Sequence, residues 1–278
     1  MAIPPEFLKP YRLPPLKKYS QSFLTDEQIL HAIVAAGCLR QDDVVLEIGP
    51  GQGIMTRLLA DRVARLTAVE IDQRLIPLLR DIFASRENVE IIHGDILSYN
   101  FSSFPLERRI KVMGNIPYSI TSEILFFLLA FRHRIHMAVL LMQQEVAERL
   151  TAQPGTKAYG IPTVLLGMYA QVEKLFAVAN HSFHPVPAVQ SSVVRLTFYD
   201  HPACELDDEA FFRTLVRAAF AQRRKTLLNN LKSFPKISLP SERIRGILDQ
   251  VGIDGSRRAE TLTITEFAKL SNVLMQKK

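Results

Sequence analysis

The sequence predicts an α/β fold, a doubly wound parallel sheet followed by a small all-helical C-terminal domain. Three observations predict it. Short apolar runs rich in β-branched residues alternate with helical stretches between residues 44 and 142, a glycine-rich turn follows the first of those runs, and from about Asp200 the pattern turns wholly helical.

Taken in order, residues 1–18 carry Pro4, Pro5, Pro10, Pro14 and Pro15 among Lys9, Arg12, Lys17 and Lys18, a composition that resists helix and strand alike and reads as a flexible basic arm. Thr25, with Gln28 three residues on, reads as the N-cap of an amphipathic helix that ends at Gly37. The strand candidates are Val44 to Ile48, Leu66 to Val69, Val89 to Ile92, Ile110 to Met113 and Met137 to Met142, with helices over 54–64, 73–84 and 120–132. Val172 to Val178 and Ser192 to Phe198 are joined by a His/Pro-rich loop instead of a helix, which suits an antiparallel hairpin at the sheet edge. Helices over 208–220, 224–233, 241–251 and 265–275 follow, punctuated by Pro235, Pro240 and Gly252. The expected organisation is thus an arm over 1–18, a sheet domain over 19–199 and a helical domain over 200–278.

Composition narrows the function classes. With 278 residues, 47% hydrophobic and 22% charged, the chain can bury one sizeable core and a smaller one. Lys and Arg number 34 against 28 Asp and Glu, a net charge of +6, which favours an anionic partner. The helical domain holds 14 of the basic residues and 10 of the acidic ones, so most of the surplus lies there. The longest apolar run, Ile124 to Phe131, is far too short for a bilayer span, and prolines occupy the amino terminus where a signal peptide needs apolar residues, so no membrane partner and a cytoplasmic location are expected. Cys38 and Cys204 form no C-x-x-C pair; reduced thiols and no metal are expected.

The chemistry concentrates at strand ends. Leu46-Glu47-Ile48-Gly49-Pro50-Gly51-Gln52-Gly53 sets three glycines between a strand and a helix, where a nucleotide-like cofactor can approach the backbone closely. A turn of this kind serves NAD enzymes equally. Glu70 closes the second strand, placed to accept from both hydroxyls of a ribose, and Asp95 closes the third, placed to accept from an adenine amino group. The fourth ends in Gly114-Asn115-Ile116-Pro117-Tyr118. A purine amino nitrogen is a feeble nucleophile, and Asn115 with a neighbouring backbone carbonyl supplies two acceptors for its hydrogens. Pro117 stiffens that backbone, and Tyr118 offers a flat face for the extruded base. His181 and His184 have no third ligand in view and give no zinc pattern. Arg223, Arg224 and Lys225 read either as a solvated helix start or as contacts to an anionic partner.

Gln21-Ser22-Phe23-Leu24-Thr25-Asp26, Glu47 to Gly51, Glu70, Gly94-Asp95, Gly114 to Tyr118 and Phe183-His184-Pro185-Val186-Pro187 occur in the order of the small-subunit ribosomal RNA adenine N6,N6-dimethyltransferases, which the chain resembles from about Lys17 to its end. Phe220 to Leu227 resembles that family's C-terminal signature and separates it from the methyltransferases that confer antibiotic resistance through large-subunit RNA. The resemblance implies a Rossmann-like class I methyltransferase sheet, S-adenosylmethionine as donor with S-adenosylhomocysteine as product, and no metal. By the same carry-over Ser22, Leu24, Gly49, Gly51, Glu70, Asp95 and Asn115 contact the donor and Ile71 and Ile96 flank its adenine. Asn115 to Tyr118 hold the target base with Phe183 as a second wall, and Arg223 to Lys225 meet RNA. The family has Asn where this chain has Ser22. Two methyl groups on each of two adjacent adenosines near the 3′ end of small-subunit rRNA, in the small subunit or its precursor, are the implied products, made by a monomer during subunit maturation. A large-subunit rRNA enzyme, a DNA adenine methyltransferase, an NAD-dependent dehydrogenase and a non-catalytic assembly factor are the other readings.

Overall fold

The computed structural model describes Leu16, residues 21–104 and 108–235, Ile237 and residues 239–277. The expected basic arm, Leu16 apart, lies outside the described residues. The chain divides into two compact units, residues 1–147 with 173–198, and residues 148–172 with 199–278.

The first unit carries the sheet. In chain order it comprises β1 (Phe23–Leu24), α1 (Glu27–Ala36), β2 (Val44–Ile48), α2 (Ile54–Ala60), β3 (Arg65–Glu70), α3 (Ile76–Ile82), β4 (Val89–His93), β5 (Ile110–Asn115), α4 (Thr121–Ala130) and β6 (Ile135–Gln143). After α5 (Gln144–Leu150) and α6 (Ile161–Gly167) come β7 (Ala170–Val178), β8 (Phe183–His184) and β9 (Ser191–Phe198). Seven strands lie in the order β4-β3-β2-β5-β6-β9-β7. The pairs from β4 to β6 are parallel and β9 runs antiparallel to β6, with β7 at the edge. From β2 the chain builds outward through β3 and β4, then returns to place β5 on the other side of β2. That reversal opens a crevice at the carboxyl ends of β2 and β5, where ligands bind in open α/β sheets.

Strands covered on both faces need continuous apolar runs. Val45, Leu46 and Ile48 of β2, Val112 and Met113 of β5, and Val139 to Leu141 of β6 are accordingly buried, and Leu30, Ile33 and Val34 of α1 share one core cluster with Val45, Met113, Val139 and Leu141. Glu47 is the departure, a carboxylate inside an apolar strand.

One local expectation is corrected. Asp26, not Thr25, caps α1: its Oδ1 accepts from the Ile29 amide at 3.2 Å, while the Thr25 hydroxyl donates to the Ser182 carbonyl at 3.1 Å. A carboxylate is the stronger acceptor for the helix's free amides, and the hydroxyl has a donor's task instead. Two helices escaped the sequence reading. α5 follows β6 with no intervening breaker, and α6, Ile-Pro-Thr-Val-Leu-Leu-Gly, is too uniformly apolar to show a period.

The second unit holds α6 with α7 (Glu209–Ala219), α8 (Leu227–Lys232), α9 (Ser241–Gln250) and α10 (Ile264–Gln276). Asp208 caps α7, and Thr263 with Glu266 forms a reciprocal capping box on α10. Residues 148–172, assigned to the sheet domain by sequence, are tied into this unit by the Gly155 amide on the Glu260 carbonyl at 2.7 Å and the Ala203 amide on the Met168 carbonyl at 2.7 Å. Phe220 stacks on Phe267 with ring centroids 5.9 Å apart and meets Tyr159 on its other side at 6.3 Å.

Candidate active site

The turn after β2 is shaped by its glycines. Gly49, Gly51 and Gly53 have φ of +67°, +57° and +81°, a region that side chains with a Cβ rarely enter. A Cβ on Gly51 would also lie 3.0 Å from the Phe23 ring. Glu70, at the end of β3 and 4% exposed, accepts the Gly51 amide at 3.0 Å on one oxygen and the Asp72 amide at 2.8 Å on the other. Burial pushes its pKa up, against the pull of those two amides. The carboxylate thus locks the turn, and the residue lines the cleft.

Asp95 follows β4. Its Oδ1 accepts the Leu97 amide at 2.9 Å, fixing a short 3₁₀ turn that buries Ile96. Ile71 lines the same cleft as an exposed apolar side chain. The pair gives two apolar surfaces beside a carboxylate, the composition a purine slot requires.

β5 delivers Asn115, whose Nδ2 donates to the Ser22 carbonyl at 2.9 Å. The Ile116 amide donates to the Leu141 carbonyl at 3.1 Å and its side chain is buried. Pro117 opens a 3₁₀ turn, and its carbonyl already accepts the Thr121 hydroxyl at 3.1 Å. Tyr118 is half-buried with its hydroxyl bonded to Ser191 Oγ; burial raises its pKa. The tether fixes the ring.

The segment bearing Ser22 and Leu24 is strapped to the cleft. Gln21 donates to Asp72 at 2.9 Å, and the Arg74 guanidinium holds that carboxylate at 2.7 Å, drawing its pKa down to about 2. The Ser22 hydroxyl donates to the Pro185 carbonyl at 2.6 Å. Serine is therefore not a shortened asparagine here; its hydroxyl is committed to the neighbouring loop.

Ser22, Leu24, Gly49, Gly51, Glu70 and Ile71 all line one cleft of about 1170 Å³, its open mouth included, together with Asp95, Ile96 and the run Asn115 to Tyr118. The expected wall residue Phe183 does not. It is 2% exposed and packed with Leu24, Leu30 and Ile33 in the core. In the antiparallel β1/β8 pair Phe183 stands opposite Leu24, which lines the cleft and belongs to the same core cluster. Arg223, Arg224 and Lys225 belong to the second unit, in the turn between α7 and α8, and all three are exposed. Arg223 is bonded to the Lys157 carbonyl and reaches Glu260 at 3.4 Å. Glu47 lines the cleft and was missed as a site residue, although its signal, a charge inside an apolar strand, was legible. Among the described residues no group of three or more His, Cys, Asp or Glu side chains is arranged to hold a metal ion.

A glycine turn after β2, an acid after β3 and Asn-Ile-Pro-Tyr after β5, gathered at one switch point, define a class I methyltransferase with a Rossmann-like sheet. The chain belongs to the ribosomal RNA adenine dimethylase family, which it matches over residues 16–274. It is 45% identical over 272 residues to the ribosomal RNA small subunit methyltransferase A of Syntrophus aciditrophicus, covering 97% of each chain. The enzyme of that name from Geobacillus thermodenitrificans is 44% identical over 276 residues, covering 97% of this chain and 94% of the relative. Among solved structures, a dimethyladenosine transferase from Plasmodium falciparum superposes with TM-score 0.79 at 27% identity over 89% of this chain and 95% of that one. The 23S rRNA methyltransferase ErmE does so with TM-score 0.70 at 30% identity over 91% and 100%.

Proposed function

We propose that this enzyme transfers methyl groups from S-adenosylmethionine to N6 of two adjacent adenosines in the loop near the 3′ end of small-subunit (16S) rRNA, within the small ribosomal subunit or its precursor. The observation that carries the reading is that Asn115 to Tyr118 line the same cleft as the glycine turn, Glu70 and Asp95, so a donor and a base amine can meet there. Small-subunit specificity rests on relatives at 41–45% identity that bear that name, against 30% for the large-subunit enzyme.

The residues suit this donor. In this reading Glu70 accepts from the ribose hydroxyls, Asp95 from the adenine amine, Ile71 and Ile96 cover its two faces, and Ser22, Leu24, Gly49 and Gly51 contribute backbone and wall; the support is that all of them line one cleft. When bound, the donor supplies a sulfonium methyl, leaving as S-adenosylhomocysteine. With Nδ2 held by Ser22, Asn115 presents Oδ1 to one amino hydrogen of adenine, and the Ile116 carbonyl takes the other. Drawing both hydrogens into acceptors localises the nitrogen lone pair for in-line attack. Tyr118 stacks the flipped base on a ring that its own hydroxyl bond keeps from turning. Arg224 and Lys225 engage RNA phosphates. The enzyme acts as a cytoplasmic monomer, and no helix among the described residues is long and apolar enough to cross a membrane.

The test is methylation of undermethylated small subunits with labelled S-adenosylmethionine, followed by mapping of the modified bases. Label confined to large-subunit RNA, or absent from the 3′-terminal loop, would overturn the assignment.

A further inference from the structure

Glu47 occupies β2 between Leu46 and Ile48 with 0% exposure, and neither of its carboxylate oxygens has a hydrogen-bond partner. In register it faces Ala68 of β3 and Met113 of β5, which offer no polar group. The polar groups acting on it are the Thr56 hydroxyl on α2, without a bond of ordinary geometry, and the carboxylate of Glu70, which has the wrong sign to answer it. The residue is nonetheless among those that line the cleft. A buried, unpartnered carboxyl has two stable conditions: it keeps its proton, or a cation comes to it. Burial, reinforced by Glu70 and opposed by Thr56, pushes its pKa up to about 8, so the free protein holds it mostly neutral at pH 7.

The proposed donor and its product differ by one positive charge. S-Adenosylmethionine carries a sulfonium and an ammonium, whereas S-adenosylhomocysteine has lost the sulfonium. We propose that Glu47 reads this charge, giving up its proton to solvent when the cationic donor enters the cleft and regaining one from solvent once methyl transfer leaves the thioether, so that the site holds donor more tightly than product. This rests on the donor assigned above. Protons balance: one leaves the carboxyl on donor binding and one returns after transfer, while the proton shed by the methylated amine is a separate event. For an enzyme that methylates repeatedly, the device favours discharge of product over loss of donor. Glu47 acts here as a specificity-determining residue.

Calorimetric titration of the full chain at pH 7, in two buffers of different ionisation enthalpy, counts the protons directly. Donor binding should release most of one proton and product binding much less. Glu47→Gln keeps the shape but not the charge; it should abolish that release and weaken donor binding by roughly ten-fold, the usual scale for a charged hydrogen bond, while changing product affinity much less. Donor affinity of the wild type should climb as pH rises from 6 toward 8 and level above it. If the wild type bound no S-adenosylmethionine, the donor assignment itself would be wrong. If it bound donor without releasing protons, or if Glu47→Gln weakened donor and product equally, the charge-reading role would fall. Should the variant not fold, the wild-type proton count alone decides.

Discussion

The Asn115 side-chain amide donates to the backbone carbonyl of Ser22 at 2.9 Å, joining positions 93 residues apart in the chain. The bond does two things at once. It leaves Oδ1 as the unused end of the amide, the end the proposed mechanism needs, and it anchors the strap that carries Ser22 and Leu24 along the cleft.

Asn115→Ala therefore removes an acceptor in the reacting geometry and an anchor of the strap. Turnover on small-subunit RNA should fall by about 10² to 10⁴, the usual range for such groups, with the protein still folded. Donor affinity should fall too, by much less, because Glu70 and the glycine turn are held by other bonds. Asn115→Asp should be no better, since a carboxylate cannot donate to the Ser22 carbonyl. A variant with half of wild-type turnover would remove Asn115 from the mechanism.

Phe183 and Tyr118 should part company. Tyr118 lines the cleft, so Tyr118→Leu should weaken capture of the target base by roughly 1 to 3 kcal/mol, read as a rise in KM for RNA. Phe183 is core, so Phe183→Leu, which roughly conserves volume, should cost about 1 kcal/mol of stability and leave the RNA KM unchanged. Melting curves and steady-state kinetics on both variants separate the two. If Phe183→Leu instead kept the melting temperature and lost RNA turnover, its ring would have to swing into the cleft during reaction.

The parallel strands and the residues at their carboxyl ends were legible because periodicity and glycine spacing are local signals, and the topology then brings those ends together. What the sequence concealed depended on long-range packing. Nothing near Phe183 shows that its strand partner is Leu24 or that the two join one buried cluster. Nothing near Ser22 shows that its hydroxyl is taken by Pro185, 163 residues away. Glu47 was visible as a charge in an apolar run, but its isolation is a property of Ala68 and Met113 on neighbouring strands. The membership of residues 148–172 in the helical unit rests on similarly distant bonds, to Glu260 and Ala203.

Glu47 also sets a pH signature on stability. Its pKa in the fold is about 8, raised from an ordinary 4.5, so between those values the folded chain binds a proton that the unfolded chain has lost. Its contribution to stability is complete below the lower value and declines as pH rises toward the upper one, with a limiting slope of about 1.4 kcal/mol per pH unit. Subtracting the profile of Glu47→Gln from that of the wild type isolates this contribution. Denaturant unfolding at pH 5, 6, 7 and 8 should give a difference that moves steadily against the wild type, and a flat difference would mean that the acid finds a partner in solution.

The basic triplet divides by what each residue already holds. Arg223 bonds the Lys157 carbonyl and approaches Glu260, which positions it as a brace within the helical unit. Arg224 and Lys225 are exposed in the same turn, and for them a phosphate is a natural partner. Replacing all three by alanine would confound stability with RNA binding, so the informative variant is Arg224→Ala with Lys225→Ala. Each phosphate neutralised by a side chain releases condensed counterions, with log affinity changing against log salt by about 0.7 to 0.9 per contact. Losing two contacts should flatten the salt dependence of small-subunit binding by roughly 1.5 and weaken binding most at low salt. Arg223→Ala alone should instead lower the melting temperature, with a smaller effect on the salt slope. Donor affinity is the control for both, because every residue that lines the cleft lies in the sheet unit. An unchanged slope in the double variant would return Arg224 and Lys225 to an ordinary solvated turn and move the RNA-binding surface to other cations of the chain.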